Sequence, residues 1–238
     1  VKRPEPQLPE VEPWSEAERL AKEKEILGFF ISGHPLEKFR EEVRVFEHVN
    51  TGNLKAHRGQ RVELACVITA VSRQISKRDG SEWGRVTVED FHGTATVLAF
   101  GEAWERWKHL LVQDTAVLIQ GEVSARDRDE DSPPIFLNGV VPLTELRASG
   151  ALALELRLAS GNGAGPEAIA AATRLLQENR GPARLYVRWR RRPADGEGGA
   201  EGEEVVLRSR SYRIEPTESV LGELRALFGA DRVRLVKA

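Results

Sequence analysis

The chain has 238 residues, of which 40% are hydrophobic and 30% charged, and its 35 Lys and Arg against 37 Asp and Glu give a formal net charge of −2. This balance excludes a globally cationic protein, so any affinity for nucleic acid has to come from local basic patches. The single cysteine excludes an internal disulfide, and the lack of a signal-peptide pattern or a spanning apolar segment predicts a cytoplasmic protein with no membrane association. Since the sequence contains no Met, we expect it to be a piece of a longer chain.

Residues 1–50 are predicted to form a linker and a helical connector. Four prolines at the very start of the sequence interrupt helix and strand hydrogen bonding, which is typical of an extended linker. Ser15 and Glu18 then form a capping-box pattern that predicts the start of a first helix. A second helix is predicted from Pro35, because its missing N–H is harmless at the first helical position.

The segment between these two helices contains a histidine. Gly33, His34 and Pro35 interrupt both helical patterns and predict a helix-to-helix corner. A lone histidine could also be a metal ligand, but no Cys or second His lies at ligand spacing. His34 is therefore interpreted as a turn or cap residue, and no metal site is expected.

Residues 51–148 are predicted to form an OB-fold domain. Apolar residues alternate here with a period of two, and a short helical pattern lies between the third and fourth runs. The predicted strands are 61–75, two strands within 82–100 joined by a tight turn from Asp90 to Gly93, 114–126 and 135–143, and the predicted helix is 103–111. Three strands, a helix and two further strands is the chain order of an OB barrel, in which the helix closes the bottom.

Residues 149–238 follow the order βαββαβ. Pro166 and Pro216 each open a helical pattern, and Gly181 and Gly229 each precede an Arg-led apolar strand. The simplest architecture is an antiparallel sheet with both helices on one face. The fold class predicted for the whole chain is therefore multidomain α+β: a short helical segment, a five-stranded OB-fold β-barrel and a small βαββαβ α+β domain.

Three stretches of this sequence resemble one protein family. They are "EKEILGFFISGHPLEKF" at 23–39, "VITAVSRQISKRDGSEWGRVTVEDFHGTATVLAF" at 67–100, and "YRIEPTESVLGELRALFGADRVRL" at 212–235. Their order resembles the C-terminal region of the bacterial replicative DNA polymerase III α-subunit family. The resemblance implies that residues 1–50 end the helix-hairpin-helix and fingers region, that the OB domain binds single-stranded DNA, and that the last domain docks the clamp-loader τ subunit.

The resemblance also implies what this region lacks. In that family the polymerase palm lies upstream, so the parent chain would be a DNA-directed DNA polymerase, a nucleotidyltransferase, while this fragment would hold no catalytic residue, metal or cofactor. The sliding clamp would be a partner through a motif not present here, since "QLPEVEPW" at 7–14 is not a clamp-binding pentapeptide. Walker loops, Cys-His clusters and Ser-His-Asp orders are likewise not recognised in the sequence.

The loop between the first two predicted strands is the candidate DNA site. OB folds bind single strands with the face of strands two and three and with the first and fourth loops, using cations for phosphates and aromatic rings for bases. The candidate residues are Arg73, Lys77, Arg78, Trp83 and Arg85 around the first loop, and Arg126 in the fourth. Acidic residues at 127–131 predict weak, salt-dependent binding without sequence specificity. The alternative is that 77–80 is only a soluble hairpin tip and that Trp83 only covers the barrel edge.

The last domain offers two further candidate surfaces. A basic strand at 184–192 is a second possible patch, although a solvated strand face balanced by the neighbouring Gly/Glu loop is the preferred interpretation. Phe228, Val233 and Leu235 are the candidate protein-binding residues, and the alternative is that they complete the domain's own core. Two other functions stay open for the whole chain: an OB module of an aminoacyl-tRNA synthetase, ligase or helicase, and a purely protein-binding spacer.

Overall fold

The computed structural model describes residues 33–126, 132–159, 165–190 and 204–238, together with Lys22 and Ile26, which are helical. The proline-rich linker, most of the helix predicted from Ser15, the acidic stretch at 127–131 and most of the Gly/Glu loop lie outside the described residues. Within the described residues, no helix is both long and apolar enough to cross a bilayer.

The connector reaches the barrel through short helical turns. A 3₁₀ turn at Glu37–Phe39 leads into α1 at Arg40–Phe46, and a second 3₁₀ turn spans Leu54–His57. The turn at His34 is held by two hydrogen bonds, since the Leu36 N–H donates to Nδ1 at 3.1 Å and the Glu37 N–H donates to the His34 carbonyl at 2.8 Å. These bonds support the interpretation of His34 as a turn residue, but the helix after Pro35 begins as a 3₁₀ turn.

Five strands close into a barrel in the order β1-β2-β3-β5-β4. Their bounds are β1 Arg61–Ile75, β2 Glu82–Asp90, β3 Gly93–Phe100, β4 Ala116–Val123 and β5 Ile135–Pro142. Alternate residues point inward and form a closed apolar core, in which Val86, Val88 and Val97 are fully buried. The predicted five-stranded barrel is therefore confirmed, with the bounds of β1 as predicted and with β2 and β3 joined at the predicted turn.

The helix between the third and fourth strands, α2 at Gly101–Trp107, packs on the barrel core. Its Trp104 is buried together with Leu111 just beyond the helix end. Gly84 on β2 makes this possible, because a Cβ at that position would overlap the Trp104 ring. The helix predicted to close the barrel thus does so, although it ends at Trp107 and Leu111 follows in the turn.

The last domain has the predicted βαββαβ order. A short helix, α3 at Leu143–Leu146, precedes it. The elements of the domain are β6 Leu152–Ala159, α4 Pro166–Glu178, β7 Arg180–Arg190, β8 Glu204–Ile214, α5 Glu218–Phe228, a 3₁₀ turn Ala230–Arg232 and β9 Val233–Lys237. The sheet order is β8-β7-β6-β9. The expected all-antiparallel sheet is wrong at one pair, because β6 and β7 run parallel. The helix α4 between them acts as a crossover connection, which brings the chain back in the same direction.

The barrel and the last domain share part of one core. Val43 and Phe46 of α1 pack in the same buried cluster as Val67 of the barrel and Leu154 of the last sheet. Helix α1 contacts both β1 and β9, and Glu41 of this helix binds Arg225 of α5 at 2.9 Å. The connector therefore packs the two domains against each other through buried side chains.

Candidate nucleic-acid interface

A row of three aromatic rings lies on the outer face of the barrel. Trp83 of β2 pairs across the ladder with Phe100 of β3, and their ring centroids are 5.0 Å apart at 35°. Phe136 of β5 continues the row, with its centroid 6.2 Å from that of Phe100. Phe100 is 46% exposed, which is unusual for a ring of this size and leaves the row open to solvent. We call Trp83, Phe100 and Phe136 the aromatic row.

The aromatic row lies between the two loops that OB folds use for ligands. The first loop, 76–81, leads directly into β2, where Trp83 is the second residue. The fourth loop, 124–134, leads directly into β5, where Phe136 is the second residue. The position of the row matches the strand-two and strand-three face between the first and fourth loops, where OB folds bind single strands.

The first loop is a tight, hydrogen-bonded turn that presents two cations. The Ser76 N–H donates to the Ser81 carbonyl at 2.8 Å, and the Gly80 N–H donates to the Ser76 carbonyl at 2.9 Å. Lys77 and Arg78 are exposed at the tip of this turn. The loop therefore presents both cations at the tip of the β1–β2 hairpin, whose second strand carries Trp83, and leaves their charges exposed.

An aspartate at the same tip organises the turn. Asp79 accepts hydrogen bonds from the Ser81 hydroxyl at 2.7 Å and from the Ser81 N–H at 3.1 Å. These hydrogen bonds from Ser81, with a further one from Ser76, lower the pKa of Asp79 to about 2. The carboxylate is therefore ionised at neutral pH and offsets part of the positive charge of the tip.

The strand cations fall on two different faces. The register sets Arg85 opposite Ser72 and Trp83 opposite Gln74, so Arg85 shares the outer face with Trp83 and is exposed. Arg73 pairs instead with the inward-facing Gly84 and forms an ion pair with Glu82. Of the predicted site residues, the structure thus brings Arg85 beside Trp83 and places Arg73 on the opposite side of the ribbon. The register puts Arg73 on the Gly84 face, and its role in binding DNA stays a prediction.

Arg126 marks the start of the fourth loop. Its side chain is exposed, and its carbonyl accepts a hydrogen bond from Nη1 of Arg58 at 2.9 Å. Arg58 lies between the 3₁₀ turn at Leu54–His57 and β1, so no sequence pattern assigned it to this loop. Arg58 is therefore a second cation at the fourth loop, in addition to the predicted Arg126.

The aspartate at the β2–β3 turn has a structural role. Asp90 is buried, and its carboxylate accepts hydrogen bonds from the N–H and hydroxyl groups of Thr51 at 2.7 and 2.6 Å and from the His92 N–H at 2.8 Å. Asp90 is therefore a structural residue of this turn. In the described part of the chain, no three His, Cys, Asp or Glu side chains are grouped as a metal site would require.

The three predicted protein-binding residues lie in the interior. Phe228, Val233 and Leu235 are buried in the core of the last domain, where β9 pairs with β6 and faces the helices. Their side chains cannot contact a partner without opening that core. The prediction that they form a docking surface is therefore wrong, and the alternative of a core role is correct.

Phe100 and Phe136 are the residues that sequence reasoning missed. Both sit at outward positions in strands whose other residues alternate between core and surface. The alternation alone could have placed each of them on the outer face. Their proximity to Trp83 depends on pairing between β2, β3 and β5, which is not a local property of the sequence.

Comparison with known proteins agrees with this geometry. Residues 52–142 match the family model described as an OB-fold nucleic acid binding domain. The chain is 30% identical over 224 residues to DNA polymerase III subunit alpha of Neisseria meningitidis and 26% identical over 231 residues to that of Escherichia coli O157:H7. These matches cover 93% and 94% of the chain but only 18% and 19% of the relatives, so the chain spans about a fifth of their length.

Among solved structures, the second OB-fold domain of replication protein A from Methanococcus maripaludis matches 40% of this chain and 94% of its own, with 11% identity and a TM-score of 0.30. The relatives named DNA polymerase III subunit alpha match along nearly the whole chain, including the last domain, and not only its barrel. Over 93% of its length the chain is thus a homologue of the DNA polymerase III α subunits, and it fits the C-terminal, OB-fold region of that family.

Proposed function

We propose that this part of the chain binds single-stranded DNA weakly through its barrel and docks the clamp-loader τ subunit through its last domain, within a replicative DNA polymerase. The observation that carries the DNA-binding part is the aromatic row, placed between a loop with Lys77 and Arg78 and a loop with Arg126. Stacking on exposed rings and phosphate contacts to flanking cations are the two interactions by which OB folds hold single strands without reading their sequence. The region contributes binding, and nucleotide transfer belongs to the upstream part of the parent polymerase.

The stacking contribution is tested by substitutions in the aromatic row. Trp83→Ala should weaken binding of a fluorescently labelled oligo(dT) by roughly 1–3 kcal/mol if the ring stacks on a base. Trp83→Phe is the matched control, because it keeps a ring at the same place and should retain most of the affinity. Phe100→Ala should act in the same direction as Trp83→Ala. Equal affinities for the alanine variants and the unsubstituted protein would reject the aromatic row as the site.

The phosphate contribution is tested by reversing the charges of the first loop. Replacing Lys77 and Arg78 by Glu should weaken binding at low salt and reduce the salt slope, by about 0.7 for each phosphate of a single strand that the loop no longer neutralises. Lys38 and Arg174, which are exposed elsewhere, provide a control pair with the same change in net charge. If the control pair lowers affinity as much, the effect comes from overall charge and not from the first loop.

The τ-docking part is supported by an exposed apolar patch on the edge strand of the last sheet. Val205 and Leu207 of β8 are 42% and 53% exposed, and they stand opposite Trp189 and Val187 of β7. A contiguous apolar surface at a sheet edge is typical of protein-binding sites. We call these four residues the β8 patch.

Binding to the cognate τ subunit tests the β8 patch. Replacing Val205 and Leu207 by Lys should reduce τ affinity more than tenfold in a surface plasmon resonance assay, because apolar contacts would be replaced by unpaired charges. Ile169→Lys on α4 is the control, since this residue is also apolar and 46% exposed but lies elsewhere. Point variants are preferable to removing the last domain, because its core is continuous with that of α1. Unchanged τ affinity would exclude the β8 patch.

The rival functions predict different outcomes for the same titrations. An OB module that serves an aminoacyl-tRNA synthetase would bind structured RNA in preference to oligo(dT). A barrel that serves only as a protein-binding spacer would bind neither at low salt. Either result would replace the DNA-binding part of the proposal while leaving the τ test independent.

A further inference from the structure

The last sheet has one face covered by helices and one face rich in arginine. Leu154, Leu185 and Leu235 point to the side of α4 and α5, where they join the buried cluster. The alternate positions point the other way, and strand pairing aligns their side chains across the four strands. The arginines on this second face are Arg184, Arg188 and Arg190 of β7, Arg157 of β6, Arg208 of β8 and Arg234 of β9. We call this surface the arginine face.

A buried glutamate organises the centre of the arginine face. Glu155 of β6 is only 4% exposed, and its carboxylate accepts hydrogen bonds from Nε of Arg157 at 2.9 Å, Nε of Arg234 at 2.9 Å and Nη2 of Arg188 at 3.1 Å. Burial alone would raise the pKa of Glu155, but the hydrogen bonds from the three arginines lower it below its ordinary value. One carboxylate thus fixes three guanidinium groups, and Glu204 pairs with one of them, Arg188, so positive charge stays in excess at this point.

Two of the fixed guanidinium groups, those of Arg157 and Arg234, keep most of their donors for a ligand. An arginine carries five N–H donors in a rigid fork, and Glu155 uses only one or two from each of its three partners. Arg157 and Arg234 are still 43% and 44% exposed at the side chain. The fork geometry is therefore held in place before any anion binds, which lowers the entropy cost of binding.

The surrounding arginines have no such compensation. Arg184 of β7 stands opposite Arg213 of β8, and Arg208 stands opposite Tyr186. Within the described residues, none of these three arginines forms an ion pair with a carboxylate. Among the described residues of the four strands, the other acidic residue that the register places on this face is Glu204, which binds Arg188 at 3.3 Å. The arginine face therefore carries a large excess of positive charge on a chain with a net charge of −2.

An aromatic ring lies among these cations. Tyr186 of β7 is half-buried between Arg184 and Arg188 on the same face of the sheet. Its ring offers a planar surface on which a base can stack. An acidic peptide would use the arginines but has no need of a ring between them, whereas a nucleic acid supplies both phosphates and bases.

We propose that the arginine face is a second binding surface for the phosphate backbone of single-stranded nucleic acid, separate from the aromatic row of the barrel. The sheet exposes its cations along several strands, which suits an extended polyanion more than a single compact anion. Planar guanidinium groups bind phosphate oxygens through paired hydrogen bonds, and a sheet face with an aromatic ring is a recurrent platform for single strands.

The test uses the full chain and a fluorescently labelled oligo(dT), measured by anisotropy at two salt concentrations. In a chain with Trp83→Ala and with Lys77 and Arg78 changed to Glu, the arginine face should sustain residual binding that falls steeply with salt. Adding Arg184→Glu and Arg208→Glu should weaken that residual binding at least tenfold and reduce the salt slope by about 1.4, because two phosphates of the single strand are no longer neutralised. Both arginines are exposed, so thermal melting should not change.

The controls separate this proposal from the DNA site on the barrel. Lys38→Glu and Arg174→Glu, introduced together, change the net charge equally and should leave the residual binding intact. The variant with Trp83→Ala and with Lys77 and Arg78 changed to Glu has an unaltered arginine face. If this variant no longer binds oligo(dT), the inference is wrong, but the DNA site on the barrel is still supported. A fluorescent oligo-glutamate peptide serves as the competing ligand. If it displaces oligo(dT) from the arginine face at equal charge concentration, the surface binds acidic peptides and the inference is wrong.

Discussion

Replacing Arg147 should loosen the junction between the barrel and the last domain. Arg147 follows α3 and forms an ion pair with Glu42 of α1, and its Nη2 donates to Glu218 of α5 at 2.6 Å. Its Nη1 donates to the Pro216 carbonyl at 3.0 Å. Burial alone would lower the pKa of Arg147, but the hydrogen bonds to Glu218 and Glu42 raise it above its ordinary value, so this side chain stays charged.

The size of the effect follows from the burial of the partners. The Glu42 side chain is only 3% exposed, and its Oε2 is buried with no hydrogen-bond partner among the described residues. Arg147→Met would leave this carboxylate buried without a counter-charge, and removing one partner of a buried ion pair costs about 3–5 kcal/mol. Glu218 is 68% exposed, so Glu218→Gln removes a surface ion pair that contributes at most about 1 kcal/mol.

Urea denaturation monitored by tryptophan fluorescence would measure both variants. The double variant Glu42→Gln and Arg147→Met should recover part of the stability, because the uncompensated charge is gone. The reasoning is refuted if Arg147→Met costs no more than Glu218→Gln, or if the double variant is less stable than Arg147→Met alone.

Three further measurements test local features. Gly84→Ala should destabilise the barrel by about 1–3 kcal/mol in the same denaturation assay, because the added methyl group overlaps the Trp104 ring. Gly222→Ala on α5 is the control. Its methyl group has open space, and it should stabilise the protein by up to about 1 kcal/mol. Cys66 is buried, and burial raises the pKa of its thiol well above the usual value, so a thiol reagent should label it only after unfolding; labelling of the native protein would contradict this burial. Asp79 should titrate near pH 2 in carboxyl NMR spectra. Because its pKa is lowered on folding, its contribution to stability should be present above about pH 4 and lost as the pH falls toward 2. A titration midpoint near pH 4 would show that the hydrogen bonds of Asp79 do not form in solution.

The barrel could be predicted from sequence because its signals are local. β1 begins and ends at the predicted residues because its apolar run is long and continuous, and β2 and β3 meet at the predicted turn because the residues from Asp90 to Gly93 mark it. The alternation of residue types in β2 separates the buried Val86 and Val88 from Trp83 on the outer face. Local periodicity therefore determined both the strands and the face on which Trp83 lies.

Features that depend on pairing between distant strands could not be predicted in the same way. The parallel pairing of β6 with β7 depends on where α4 packs, and Arg73 lies on the Gly84 face because of the β1–β2 register beyond the irregularity between Ile68 and Ala70. The position of Val233 near the chain end suggested accessibility. In the structure β9 pairs with β6, and that pairing turns its apolar side chains into the core.

Because the barrel and the last domain share a core, the two proposed DNA-binding surfaces are held in one arrangement. Helix α1 packs on both the barrel and β9, and Arg147 ties α3 to α1 and α5, so the aromatic row and the arginine face are held on one body. When two weak surfaces are held at a set separation, binding of a strand to the first raises the effective concentration of that strand at the second. Affinity should therefore rise in a step once an oligonucleotide is long enough to span both surfaces, although each surface alone binds weakly. Arg147→Met, which loosens the junction without touching either surface, should reduce this step while leaving the affinity for short oligonucleotides unchanged.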